Sequence, residues 1–145
     1  MMNGDELTAI TSHAAAFRDA IIRSGGGGLL ALQDFPVGAC GDASILLGQF
    51  FADQGIGEWF YVNGERTTSS GQQSHAWIER DGLVVDITAN QFVEIDDPVL
   101  VTGAKDWHLQ FVEENRHAAL INIYLDDHTR DRLWEAYELI MTAVI

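Results

Sequence analysis

Hydrophobic positions recur at steps of three and four between Asp5 and Arg23, where Leu7, Ile10, Ala14, Phe17 and Ile21 share one side of a helix. Gly25-Gly26-Gly27-Gly28 ends that pattern, and a run of glycines with free access to positive φ predicts a flexible turn. A phosphate-binding loop would need Gly-Lys and then Ser or Thr, whereas Leu29-Leu30 follow here. A second helical period, Ala43, Leu46, Leu47, Phe50 and Phe51, predicts a helix from about Gly41 to Gln54, closed by Gly55. Pro36 and Gly38 resist helix before it, so the helix should start beside Cys40.

The period then changes to two. Glu58–Val62 is aromatic and β-branched, a strand pattern, and the polar stretch from Asn63 to Gln73 predicts a mobile loop able to border a substrate groove. Ser74–Arg80 and Leu83–Thr88 flank Asp81-Gly82 and predict a two-residue β-hairpin. That register pairs Arg80 with Leu83, Ile78 with Val85, Trp77 with Asp86 and His75 with Thr88. Ala76, Ile78, Val85 and Ile87 then share one face, and His75, Trp77, Glu79, Val84, Asp86 and Thr88 the other. His75 and Asp86 become diagonal neighbours, about 7–8 Å apart along the backbone, a gap that their side chains can bridge. Val99–Thr102 predicts a further strand ended by Gly103. Ala118–Leu125 fits a strand or a helix start, and a last helix from about Thr129, capped by Asp126 or Asp127, places Leu133, Tyr137, Ile140 and Val144 on one side.

The 145 residues suit one domain, and 47% hydrophobic residues suffice for a core. A net charge of −14 argues against general attraction to nucleic acid or to an anionic membrane. One cysteine makes no internal disulfide, and neither a basic-then-apolar leader nor an 18-residue apolar run is seen, so the expected setting is cytoplasmic. Oligomeric state is not legible.

Cys40, His75 and Asp86 supply the three parts of nucleophilic catalysis. Unpaired N–H groups and the helix dipole at a helix start stabilise a thiolate and lower a thiol pKa from its usual value near 8.5. Cys40 would attack an acyl carbon, His75 would carry the proton and Asp86 would orient the imidazole. The backbone N–H of Cys40 is the expected oxyanion donor, with the Gln33 side chain as the second. Trp77 is expected to wall the substrate groove, to shield the His–Asp pair or, as is commoner for an aromatic residue on a strand, simply to pack. His13, His108, His117 and His128 read as surface or structural, and Asp42 and Glu79 are expected either to hydrogen-bond near the site or to lie at a solvated helix start and a strand edge.

Gly38-Ala39-Cys40-Gly41-Asp42-Ala43, Ser74-His75-Ala76-Trp77-Ile78-Glu79 and Val85-Asp86-Ile87-Thr88 resemble, in order and local context, the cysteine, histidine and aspartate blocks of transglutaminase-like proteins in the papain-like superfamily. The resemblance spans about Phe35 to Phe92. It implies an α+β, papain-like core with the cysteine helix packed on an antiparallel sheet, and it carries the nucleophile, base and orienting acid to Cys40, His75 and Asp86. It also implies acyl chemistry at an amide or thioester, as in a cysteine peptidase, amidase or acyl transferase acting on a peptide, protein or small amide. The chain is shorter than a full transglutaminase and has no evident calcium loop. Compact bacterial peptidases, including leader-peptide processing domains, are closer in size. No organic cofactor and no metal are expected. The competing classes are a noncatalytic peptide-binding module of the same fold and a metal-binding domain using the Cys, His and Asp ligands.

Overall fold

The computed structural model describes residues 2–145. It is α+β, with three α-helices and a five-stranded antiparallel sheet. Helix α1 (Gly4–Arg23) starts at Asn3, whose side chain accepts from the Glu6 N–H, and its buried side is Ile10, Ala14, Phe17, Ala20 and Ile21. The glycine run is a tight 3-10 turn, not a loose one, with positive φ at all four glycines. At Gly27 an added Cβ would lie 2.5 Å from the Ala136 carbonyl oxygen, so the turn is held against the last helix.

Helix α2 (Cys40–Asp53) buries nine residues in a row, Ala43 through Phe51. A helix apolar around its whole circumference belongs in the interior, and α2 lies between the sheet and the other two helices. Phe50 stacks on Phe17 of α1 with ring centroids 4.8 Å apart. The last helix, α3 (Asp127–Thr142), is capped by Asp126, which accepts from the Thr129 N–H, and buries Leu133, Ala136, Tyr137 and Ile140.

The sheet comprises β1 (Phe60–Thr68), β2 (Gly71–Arg80), β3 (Leu83–Asp86), β4 (Leu100–Thr102) and β5 (Val112–Ala118), in the order β4-β3-β2-β1-β5. The hairpin register is as expected, with Ile78 opposite Val85 and Arg80 opposite Leu83 across a turn in which Asp81 and Gly82 both take positive φ. The stretch from Asn63 to Gln73 is not the mobile loop that its polarity suggests. It continues β1 and begins β2, paired down to Thr68 opposite Gly71. Backbone pairing needs no apolar side chain, and cross-strand polar bonds such as Arg66 Nε to Gln73 Oε1, 2.8 Å, replace apolar packing there. Residues 118–125 end a strand and form a 3-10 turn (Ile121–Ile123), not a helix start.

Alternation gives the sheet two buried faces. Ala76, Ile78, Val85 and Ile87 face the helices in the main core. Val62, Trp77, Val84 and Phe111 form a second, smaller core on the opposite side, with Phe92 and Trp107 packed against it. Among the described residues no α-helix covers that side. The segments after β3 and β4 do so, and the Arg66 guanidinium lies over the rings of Phe92, Trp107 and Phe111 at 4.7–5.3 Å. Among the described residues no helix is long and apolar enough to cross a membrane.

Candidate active site

The second core encloses a polar centre. Asp86, the last residue of β3, and His75 on β2 are each 1% exposed, and His75 Nε2 lies 2.7 Å from Asp86 Oδ2. The diagonal relation predicted from the hairpin is therefore realised as a side-chain hydrogen bond. Asp86 Oδ1 accepts the Thr88 backbone N–H at 3.0 Å, which fixes the carboxylate plane. His108, in a 3-10 turn (His108–Gln110), is also 1% exposed and places its Nε2 2.7 Å from the same Oδ2. One carboxylate oxygen thus faces two imidazole nitrogens.

His108 is buried and structural, not a surface residue, and its place against the site carboxylate is what the sequence does not disclose. It was missed because it stands 22 residues beyond Asp86 in an irregular segment, where no periodicity fixes direction. The one local signal was its position between Trp107 and the apolar Leu109 and Phe111.

Burial drives the pKa of His75 down, but the charge of Asp86, the hydrogen bond to it and the neighbouring Cys40 thiol outweigh that effect and raise it to about 9. Burial likewise pushes Asp86 up, and the two histidines more than offset it, holding the carboxyl well below its ordinary range. The His75–Asp86 unit is consequently an ion pair at neutral pH. Both Nε2 atoms engage Asp86, and Nδ1 of each histidine has no hydrogen-bond partner among the described residues. A buried nitrogen left without a partner is uncommon and calls for one.

Cys40 is the first residue of α2, partly buried, with Ala39 at the N-cap and no side-chain cap on the helix. The free N–H groups of the first turn therefore remain available near the thiol. The loop before it is tied to the Asp86 strand through Gln91, whose Oε1 accepts from the Gly38 N–H at 3.4 Å and whose Nε2 donates to the Thr88 carbonyl at 3.1 Å. Gln91 was not singled out in the sequence.

Two expected site residues lie elsewhere. The exposed Gln33 directs its amide nitrogen to the carbonyls of Leu29 and Gly25, at 3.3 and 3.4 Å, so its donor is engaged by the glycine turn and not offered as an oxyanion donor. Trp77 is 3% exposed and presents no wall to a groove. Its ring packs 5.7 Å from His75 and 4.7 Å from His108, and its Nε1–H donates to Glu79 Oε1 at 2.9 Å. Trp77 packs against both histidines, so packing and shielding are here the same contact. Glu79 is likewise buried and hydrogen-bonded to Trp77 beside the cluster, the first of its two expected places, not a solvated strand edge. Burial raises its pKa, and hydrogen bonds from Trp77, Lys105 and Arg116 overcome this and hold it low. Asp42 is partly buried, and burial raises its pKa against the opposing charge of Arg132.

Among the described residues, those grouped so as to hold a metal ion are His75, Asp86 and His108, whose ligand atoms lie within 4.8 Å of one another. A cavity of about 530 Å³ lined by Met2, Leu7, Asp81, Gly82, Leu83 and Gly103 contains none of these groups. No family model, curated protein or solved structure matches the chain, so its function is argued from these residues alone.

Proposed function

We propose that the protein is a thiol-dependent hydrolase or acyl transferase of papain-like, transglutaminase-like character, acting on an amide or thioester of a peptide, protein or small molecule. One observation carries this reading: the buried His75 imidazole is held through Nε2 by the Asp86 carboxylate at 2.7 Å and has its Nδ1 unpartnered, with the single cysteine at a helix start as its neighbour. In this reading Cys40 attacks the acyl carbon as the thiolate. His75 Nδ1–H protonates the leaving group and later takes a proton from the incoming water or amine, while Asp86 holds Nε2–H. His108 and Thr88 hold Asp86.

The test is acylation of the purified protein by p-nitrophenyl acetate, read as p-nitrophenolate release and as an acetylated Cys40 by mass spectrometry. The expected result is stoichiometric acetylation of Cys40, lost in Cys40→Ser and reduced by at least ~100-fold in His75→Gln. A folded protein whose thiol is not acetylated contradicts the reading and favours a noncatalytic peptide-binding role.

A second reading takes the cluster of His75, Asp86 and His108 as a metal centre, because three ligands of types suited to zinc, two imidazoles and a carboxylate, converge. The 2.7 Å contacts from both Nε2 atoms to one oxygen are hydrogen-bond lengths, and the aromatic walls leave the cluster buried, which favours the proton-holding reading. Stoichiometric zinc in the purified protein, lost in His108→Ala, is the result that decides for the metal.

A further inference from the structure

Beside the cysteine lies a second set of polar groups, on the helix-facing side of β1. Asn115 Nδ2 donates to Asn63 Oδ1 at 3.0 Å, and Asn63 Nδ2 donates in turn to Tyr61 Oη at 3.2 Å. The two bonds run in one direction, so each polarises the next, and the Tyr61 O–H is the terminal donor of the chain. No acceptor among the described residues takes that proton.

The phenol is held firmly. Tyr61 is 8% exposed, lies opposite Ile78 and His117 in the sheet, and stacks on the His117 ring at 4.6 Å with the planes 11° apart. Its hydroxyl lies 3.6 Å from where a Cβ on Gly41 would stand, so the missing side chain after Cys40 leaves room beside the first turn of α2. Burial raises the phenol pKa against the Asn63 hydrogen bond, and the nearby Cys40 and Asp42 raise it further, so the group keeps its proton. Tyr124 is pushed up to about 12 by burial, Tyr61 and Asp42. The first turn of α2 thus faces hydroxyl donors that stay protonated at neutral pH.

We infer that Tyr61 is a catalytic residue, the side-chain donor to the oxyanion that forms when Cys40 attacks an acyl group, filling the role that Gln33 leaves empty. The inference rests on the thiol reading above. The Cys40 thiolate forms a C–S bond to the carbonyl carbon, and the C=O π pair moves onto oxygen between Tyr61 O–H and the Cys40 backbone N–H. Collapse restores the carbonyl and breaks the bond to the leaving group, which departs with its electron pair. Tyr61 keeps its proton throughout.

Comparing two reactions of the same thiol isolates this role, because acylation by p-nitrophenyl acetate passes through an oxyanion and alkylation by iodoacetamide does not. Tyr61→Phe is expected to slow Cys40 acylation by at least ~10-fold while alkylation keeps its wild-type rate and pH profile. Asn63→Ala, which retains the ring and removes the donor behind it, is expected to give the same selective loss at smaller size, and it serves as the test if Tyr61→Phe does not fold. Equal acylation rates in variants and wild type overturn the inference. Parallel slowing of both reactions also overturns it, since Tyr61 would then act on the thiol. Absence of acylation in the wild-type protein removes the thiol reading itself, and this role with it.

Discussion

The decisive residue is Asp86, because it is the single negative charge that two buried imidazoles share. Asp86→Ala leaves His75 buried without its counter-charge and should destabilise the protein by roughly 3–5 kcal/mol in chemical denaturation. A change under about 1 kcal/mol would show that the pair is not intact. His75 supplies a pH signature with a definite sign. Its pKa is raised in the folded state from 6.5 to about 9, so its contribution is fully present below about pH 6.5 and is lost as pH rises through 9. The stability difference between wild type and His75→Gln should therefore shrink from pH 6.5 to 9.5, and parallel curves over that range would contradict the ion pair. The His75–Asp86 bond was legible in the sequence because a two-residue Asp-Gly turn fixes register, and register fixes diagonals. His108 and Tyr61 were not. One sits in irregular chain and the other is an aromatic residue on a strand, where packing and chemistry look alike until the hydrogen bonds are seen.

At the level of elements, α2 connects the core to the site, because the helix that carries Cys40 at its start is buried along nearly its whole length. Gly48 shows how closely it is packed. A Cβ there would stand 2.3 Å from both the Cβ and the carbonyl oxygen of Ala119. Backbone cannot yield as a flexible side chain would, so Gly48→Ala should cost about 1–3 kcal/mol in denaturant unfolding, with α2 displaced from β5. A neutral or stabilising effect, as helix propensity alone predicts, would show that the helix is free to move away. Elements with strong apolar periodicity were read close to their true limits: α1, α2, α3 and the hairpin. The outer half of β1 and the edge strand β5 were not, since Val112–Ala118 is largely exposed and polar and owes its strand character to pairing with β1. Pairing of that kind depends on chain segments about fifty residues apart and leaves no local pattern.

Over the whole molecule, the sheet separates two cores with different work. The helical side supplies the bulk of apolar burial and fixes α2. The opposite side is too small to be a stability core of its own, and its aromatic rings enclose the His75–Asp86–His108 centre under the Arg66 guanidinium. A net charge of −14 is carried without filling that centre with carboxylates, since Asp86 is the one acid in the cluster. Periodicity located the helices and the hairpin, and the α+β class was what the family resemblance implied. The second core did not, because the segments that close it are short, irregular and joined across the sheet only after folding.

The central claim of the proposed function is that His75, held by Asp86, activates Cys40, and the most direct measurement is the rate of Cys40 alkylation by iodoacetamide across pH in the wild-type protein and in folded His75→Ala and Asp86→Asn variants. The account predicts a wild-type thiol that alkylates readily at neutral pH and loses most of that reactivity in both variants. A thiol that is inert, or whose profile neither substitution moves, would contradict it.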